Sequence, residues 1–301
     1  MTDSIKSKVS LALLKAQLKK TLELDLDDFG LEESRTGEYN ANFVGVDLQS
    51  SFQPIYDVSA GDLLGHEAIL RSSLGGIKDS SPEFTFSYAE AQGKLVKLDR
   101  VSRTLHVLNY HEIFKDQGLL FLNVHPNLLI SVNQHGKVFE NILHTHSVTA
   151  DRVVITIKDL IAPERHENPY VYEKQLIEGL HNYRDRGYKI AVDNFGSKHS
   201  LVSRLWKLNP DYVKFDKSLI QEAEHIPRLE KALHGLISLI KSLEAEPIVT
   251  GIETATHLDI AMSAGANLVQ GDLLGKPAAA KELQSSDVIK RQIPSHQKLV
   301  A

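Results

Sequence analysis

Eight short apolar runs recur along this 301-residue chain, and most are separated by segments long enough to form a helix. The runs are SFQPIYDV, LLGHEAIL, LLFLNV, RVVITI, YKIAVD, YVKF, PIVTGI and NLVQG. Strands that alternate with helices predict a parallel sheet in an α/β fold. Since eight strands suit a closed barrel of about 250 residues, we predict a modified TIM-type (β/α)8 barrel.

The connection between the first two runs is much shorter than the others. Only SAGD (residues 59–62) joins them, which is a hairpin length and too short for a helical crossover. One strand of the barrel should therefore run antiparallel. Polar residues cluster at the carboxyl ends of the runs, where a barrel of this kind has its mouth and houses its chemistry. They are Glu67, Asn123, Asp193, Asn194, Lys214, Glu253 and Gln270.

The N-terminal segment has a different pattern. Residues 9–22 carry leucines at helical spacing with lysines between them, which predicts one amphipathic helix. The leucines are Leu11, Leu14, Leu18 and Leu22. This stripe either docks on the main domain or pairs with a second copy of the chain, and one helix cannot decide between the two.

An acidic, polar stretch at residues 23–40 follows and is typical of a linker. We therefore divide the chain into a helix and acidic linker (1–42), a barrel (43–282) and a C-terminal tail (283–301).

Composition excludes several classes of function. There is no cysteine, which rules out disulfides, thiolate metal sites and cysteine nucleophiles. The net charge is −5 and no basic stripe occurs, so we expect no nucleic-acid partner. No apolar run approaches the ~18 residues of a membrane span and no signal peptide is evident, so we expect a cytoplasmic protein without a membrane partner. The 14 histidines lack metal-ligand spacing, and we expect surface or capping roles for them.

Seven motif segments occur along the chain in order and at close spacing. The first contains Gln53-Pro54-Ile55 and then E-A-I-L-R, which starts at Glu67 and ends at Arg71. The others are FTFSYAEAQGKLVKLDR, FLNVHPNLL, VDNFGSKHSLVSRL, PDYVKFDKSLI, VTGIETATHLDIAMSAGANLVQG and a Lys-Pro pair. Together they resemble the EAL domain family, which hydrolyses or senses cyclic di-GMP. The resemblance covers roughly residues 46–280 and implies the barrel already predicted.

The resemblance also implies a set of metal ligands. EAL phosphodiesterases hold water between two divalent cations, which are bound by five carboxylates and one asparagine. Here Glu67 matches the acid of E-A-L, Asn123 the asparagine and Asp193 the first acid of D-D-F-G. The three remaining acids are replaced by Thr156 in E-x-T-E, by Asn194 in D-D-F-G and by Thr250 in A-E-G-V-E. Asp159 and Glu253 match the final acids of E-x-T-E and A-E-G-V-E.

Two of the five metal carboxylates therefore remain, supplying a charge of about −2 against +4 from two cations. The remnants of the catalytic site are Glu67, Asn123, Asp193 and Lys214. We expect them to be non-catalytic, with no cofactor required. Glu67, Asn123 and Asp193 could still hold one Mg²⁺ or Ca²⁺ weakly.

The family residues that hold the dinucleotide are still present. By resemblance they are Gln53, Arg71, Asp193, Lys214, Asp216, Glu253 and Gln270. Arg71 offers a planar donor fork for phosphate, and Lys214 adds a point charge. The alternative is that these residues form leftover buried pairs, with Arg71 on Glu67 and Lys214 on Asp193 or Asp216.

Three functions follow from these residues. The first is a degenerate, non-catalytic receptor for cyclic di-GMP. The second is a signalling module that binds an unknown protein partner and ignores the nucleotide, and the third is a weak cyclic di-GMP phosphodiesterase. We also expect a homodimer.

Overall fold

The computed structural model describes residues 30–34, 37–74, 77–80, 82–111, 118–131, 148–158, 168–197, 200 and 202–284, with residues 16, 19, 140 and 143. The four leucines of the predicted helix at 9–22, most of its other residues and Asp159 therefore lie outside the described residues. Within the described ranges, no helix is both long and apolar enough to span a bilayer.

The described part of the chain forms eleven strands. They are β1 (Glu32–Glu33), β2 (Tyr39–Phe43), β3 (Val46–Asp57), β4 (Asp62–Leu74), β5 (Ile77–Ser80), β6 (Leu119–Asn123), β7 (Val153–Lys158), β8 (Lys189–Phe195), β9 (Tyr212–Phe215), β10 (Glu246–Val249) and β11 (Leu268–Val269). The helices are α1 (Pro82–Ala91), α2 (Leu95–His111), α3 (Pro126–Ser131), α4 (Pro169–Arg184), α5 (Val202–Leu208), α6 (Lys217–Ala223), α7 (Pro227–Ser242), α8 (Ala255–Ser263) and α9 (Ala280–Gln284).

Eight of the strands close into a barrel in the order β3, β4, β6, β7, β8, β9, β10 and β11, and β11 pairs back to β3. The strands from β4 to β11 in this order are parallel. β3 runs antiparallel to β4 and to β11. Both the eight-stranded barrel and its one antiparallel strand, which follows from the short SAGD connection, are thus confirmed.

The barrel is filled by side chains from its own strands. One apolar cluster takes a single residue from each of seven strands: Ile55, Phe121, Val154, Ala191, Tyr212, Ile248 and Leu268. On the remaining strand, β4, Gly65 lies so close to β6 that an added Cβ would fall 2.1 Å from the Leu119 carbonyl oxygen. A second, larger core lies between barrel and helices, and α7 contributes Leu233, Ile237 and Ile240 to it at helical spacing.

Two regions outside the eight apolar runs contain strands, and one of them, the 23–40 stretch, is predicted as a linker from the sequence. In the 23–40 stretch, β1 pairs with β2, and β2 extends the sheet beside β3. Leu31 and Tyr39 are buried, and the Tyr39 amide donates to Asn109 Oδ1 at 2.7 Å. In the Gly/Pro-rich stretch after β4, β5 pairs with β4. Short edge strands of this kind lack the long apolar alternation from which a strand can be predicted.

Candidate functional site

A set of eight polar residues continues the interior of the barrel toward its mouth. Because side chains alternate along a strand, the residue two positions nearer the mouth lies on the same face of the strand as the interior residue. These mouth residues, as we term them, are Gln53, Glu67, Asn123, Thr156, Asp193, Lys214, Thr250 and Gln270. All eight are among the residues singled out from the sequence, and the carboxyl ends of the parallel strands meet as predicted.

Glu67 is the centre of the mouth and is held by three side chains. Lys214 Nζ donates to Glu67 Oε2 at 2.6 Å, and Gln270 Nε2 donates to the same oxygen at 2.8 Å. Asn123 Nδ2 donates to Glu67 Oε1 at 3.0 Å. Burial by itself raises the pKa of Glu67, but the Lys214 ammonium and the three hydrogen bonds outweigh it and lower that pKa. Glu67 is therefore an ionised carboxylate whose two oxygens are both bonded to protein donors.

Lys214 is almost completely buried and serves two carboxylates. Its ammonium lies 2.6 Å from Glu67 and 3.8 Å from Asp193. Burial raises the pKa of Asp193, and the opposing effects of Lys214 and of Lys158 do not cancel that rise. The pKa of Lys214 is raised because the two carboxylates outweigh the effect of its burial. One ammonium thus neutralises Glu67 closely and Asp193 only partly.

Three neutral residues lie at the positions where the resemblance implies metal-binding acids. Thr156 is fully buried and is the register partner of Asn123, so the strand alignment itself puts a hydroxyl beside the matched asparagine. Asn194 follows Asp193 at the end of β8 with a φ of 60°. The Thr250 hydroxyl donates to the backbone oxygen of Phe215 at 2.7 Å.

Two buried oxygens in this region have no hydrogen-bond partner among the described residues. They are Asn123 Oδ1 and Thr156 Oγ1. A buried acceptor without a partner is costly, and such atoms are frequently satisfied by a ligand, an ion or water. No group of three or more Asp, Glu, His or Cys residues suited to a metal ion is found in the described ranges.

Lys158, which is not among the site residues predicted from the sequence, also faces the mouth. Lys158 is the last residue of β7, two positions beyond Thr156, and is in register with Asp193. It lines a cavity of about 420 Å³ together with Glu67, Asn123, Asp193 and Asn194. The cavity continues between β4 and helices α1 and α2, where Phe86 and His106 line it. Thr156 is identified from its match to E-x-T-E, and because side chains two residues apart on a strand share a face, Lys158 could have been identified from Thr156.

The other predicted ligand contacts are distributed around the mouth. Gln53 joins the network by accepting from Gln270 Nε2 at 3.2 Å. Arg71 is exposed on β4, and its Nε donates to Ser51 Oγ at 3.1 Å, so the alternative Arg71–Glu67 pair is not formed. Asp216 accepts from the Ser218 amide and caps α6. Glu253 is exposed and bonded to Gln221, apart from the Glu67 network.

This barrel, with one antiparallel strand and a mouth built around a glutamate, an asparagine, an aspartate and a lysine, has the architecture and polar centre of a known class. Residues 39–277 match the EAL domain family, and the chain belongs to that family. The family match thus covers the whole barrel.

Known relatives support the same assignment. The chain is 26% identical over 240 residues to the probable cyclic di-GMP phosphodiesterase PdeB of Escherichia coli K12. The aligned region covers 76% of this chain and 42% of PdeB. The chain thus spans less than half of that relative.

Two solved structures have the same fold. The EAL enzyme Bd1971 with cAMP and cyclic di-GMP bound has a TM-score of 0.70 at 18% identity, over 79% of this chain and 64% of that one. The Klebsiella pneumoniae protein BlrP1 with manganese and cyclic di-GMP has a TM-score of 0.67 at 23% identity, over 77% and 56% of the two chains.

Proposed function

We propose that this chain is a non-catalytic EAL domain that acts as a receptor for cyclic di-GMP and binds it without divalent metal. The observation that carries the proposal is the replacement of three metal-binding acids by Thr156, Asn194 and Thr250 in a mouth that otherwise keeps its polar residues. Cyclic di-GMP is proposed as the ligand because PdeB is a probable phosphodiesterase of this nucleotide and BlrP1 was solved with it.

The residues present do not fit a pair of divalent cations. Two cations bring a charge of +4, and hard cations need several oxygen ligands of opposite charge. The acids at the mouth are Glu67 and Asp193, and Lys214 already lies against both. Glu67 would have to exchange three protein donors for metal ions. A water molecule clamped between two metals is the nucleophile of this reaction class, so without the pair hydrolysis has no activated nucleophile.

A single cation is a better fit than a pair. Asn123 Oδ1 is a buried acceptor that lies beside Glu67, and Asp193 keeps a carboxylate at the same mouth. These three residues could hold one Mg²⁺ or Ca²⁺ weakly. The same acceptor equally suits an N–H group of a nucleotide base, so the cation is not a requirement for binding.

The charge of the mouth favours an anionic ligand. Glu67 and Asp193 are balanced by Lys214 and Lys158, whereas five carboxylates would repel two phosphates until cations were bound. Arg71 and Gln53 add donors at the rim. The cavity of about 420 Å³ that adjoins the mouth gives the ligand room to enter between β4 and the first two helices.

Calorimetric titration of the full chain with cyclic di-GMP tests the proposal, in EDTA and again with Mg²⁺ or Mn²⁺. We expect similar binding constants in both, and no linear dinucleotide on chromatography of the metal-containing samples. Abundant linear product would identify a phosphodiesterase instead. If the nucleotide does not bind under either condition, the receptor function is contradicted and the alternative of a protein-binding module is favoured.

Restoring the acids gives a matched comparison. The triple variant Thr156→Glu, Asn194→Asp, Thr250→Glu should gain metal dependence and some hydrolysis, because the two cations act as a pair. Each single variant should stay inactive. Hydrolysis by the unmodified chain at the level of the triple variant would contradict the assignment of these three positions.

A further inference from the structure

The mouth contains two ammonium groups, those of Lys158 and Lys214. The position of Lys158 is better suited to contact a phosphate of the ligand. Lys214 is 2% exposed, and its Nζ is bonded to Glu67 at the floor of the mouth. Lys158 is half-buried, lies at the end of its strand and lines the open cavity. A ligand that enters from solvent therefore meets Lys158 before it reaches Lys214.

Strand geometry fixes where Lys158 points. Thr156 and Lys158 are two residues apart on β7 and share one face, and that face continues from the interior residue Val154. The register partner of Lys158 is Asp193, and that of Thr156 is Ala191, the interior residue of β8. The ammonium is thus directed over the first acid of the D-N-F-G segment, toward the region that a metal-binding EAL domain fills with cations.

A charge count shows what Lys158 contributes. Without it, Glu67, Asp193 and Lys214 leave a net charge of about −1 at a site meant for two phosphates, and repulsion in a partly buried site is weakly screened. With it, the mouth is neutral before the ligand arrives. A charge-assisted hydrogen bond from an ammonium to a phosphate oxygen is among the stronger polar contacts in proteins.

Resting on the proposed receptor function, we propose that Lys158 anchors a phosphodiester oxygen of the cyclic dinucleotide and takes over the electrostatic role of a divalent cation. By the alignment that puts Thr156 at the first acid of E-x-T-E and Asp159 at its last, Lys158 stands at the threonine of that pattern. The neutral hydroxyl expected there is thus exchanged for a cation in the same chain that has lost three acids.

The test uses Lys158→Thr and Lys158→Arg in the full chain, titrated with cyclic di-GMP in EDTA. Lys158→Thr should weaken binding by about tenfold or more, because a charged hydrogen bond is lost. Lys158→Arg keeps the charge and should stay within about threefold of the unmodified chain. Lys189→Thr is the matched control, since Lys189 begins β8 at the opposite end of the barrel, and it should bind normally.

Salt dependence provides a second readout. The affinity of the unmodified chain should fall with rising salt more steeply than that of Lys158→Thr, because one ligand–cation contact has been removed. Thermal melts of each variant separate misfolding from loss of contact. If the unmodified chain binds in EDTA and Lys158→Thr binds equally well, the anchor is wrong while the receptor function stands. If the unmodified chain does not bind in EDTA, the receptor function itself fails.

Discussion

Asn194 has a φ of 60°, which lies in the left-handed region where asparagine and aspartate are tolerated better than most residues. Exchange of aspartate for asparagine at this position removes a charge and keeps the backbone. Its amide N–H lowers the pKa of the neighbouring Asp193 carboxyl, although burial raises that pKa more. The backbone here therefore accommodates asparagine at the position where the resemblance implies a metal-binding acid.

Besides Lys158, Arg71 is the side chain that we expect to contribute most to the affinity for the ligand. It is exposed on β4, its Nε donates to Ser51, and its other guanidinium nitrogens can reach a phosphate. We predict that Arg71→Ala weakens cyclic di-GMP binding by about 1.5–3 kcal/mol, measured by calorimetry.

Ser51→Ala is the control for Arg71→Ala. It removes the partner of Arg71 and leaves the guanidinium, so its affinity should stay close to that of the unmodified chain. Equal binding by Arg71→Ala and the unmodified chain would show that the ligand does not reach the rim at β4.

At the scale of elements, the contact between α2 and β3 contains a buried histidine. His106 Nδ1 lies 2.8 Å from Ser50 Oγ, and the His106 ring meets Phe52 edge-on at 6.3 Å. Burial lowers the pKa of His106 to about 3. The expectation of surface or capping roles for the histidines is therefore wrong for His106, because α2 covers β3 with this face.

This histidine predicts a pH dependence of stability. An unfolded chain protonates His106 near its ordinary pKa of about 6.5, whereas the folded chain resists protonation down to about 3. The stabilisation is complete above pH 6.5 or so and is lost progressively as the pH falls, by on the order of 2 kcal/mol at about pH 5. Urea unfolding between pH 7 and 5 measures it.

In the variant His106→Gln, the free energy of unfolding should depend less steeply on pH, by the contribution of about one proton. The exposed His225→Gln is the matched control and should follow the unmodified chain. Identical slopes for all three proteins would mean that His106 is not kept neutral by the fold.

At the scale of the whole molecule, the assembly depends on surfaces outside the mouth. The predicted helix at 9–22 stays a prediction. Two exposed aromatic residues offer a further surface for assembly: Tyr170 on α4 is 76% exposed and Trp206 on α5 is 56% exposed. These helices are linked by Lys207 and Glu173 at 2.8 Å, so the two aromatic residues belong to adjoining elements.

We predict a homodimer whose stability depends on the N-terminal helix, since burying one leucine contributes about 1.5–3 kcal/mol. Light scattering on the full chain and on a chain beginning at Gly30 measures this. The truncation stops there because Leu31 and Tyr39 are buried in the domain. A monomeric full chain, or equal dimerisation after truncation, would contradict the prediction. Light scattering on the variant Trp206→Ser tests whether α5 contributes to the dimer. Trp206 is the one tryptophan of the chain and can serve as a fluorescence reporter.

The sequence alone determined the architecture of this protein and the eight mouth residues, whereas Lys158 was not identified from it. Alternating apolar runs and one hairpin-length connection are local patterns, and they sufficed for an eight-stranded barrel with one antiparallel strand. Because carboxyl ends of parallel strands share one edge, Glu67, Asn123, Asp193, Lys214 and Gln270 could be assigned to one site before any contact was known.

Only the tertiary structure decided which partner each charged group takes. Lys214 lies on Glu67, from which it is 147 residues distant in sequence, and Arg71 lies on Ser51. The barrel closes β3 onto β11 and brings Lys158 over Asp193, and neither contact follows from a local pattern. Pairings of this kind depend on register and burial across strands that are far apart in the chain, whereas periodicity reports only the neighbours of each residue along it.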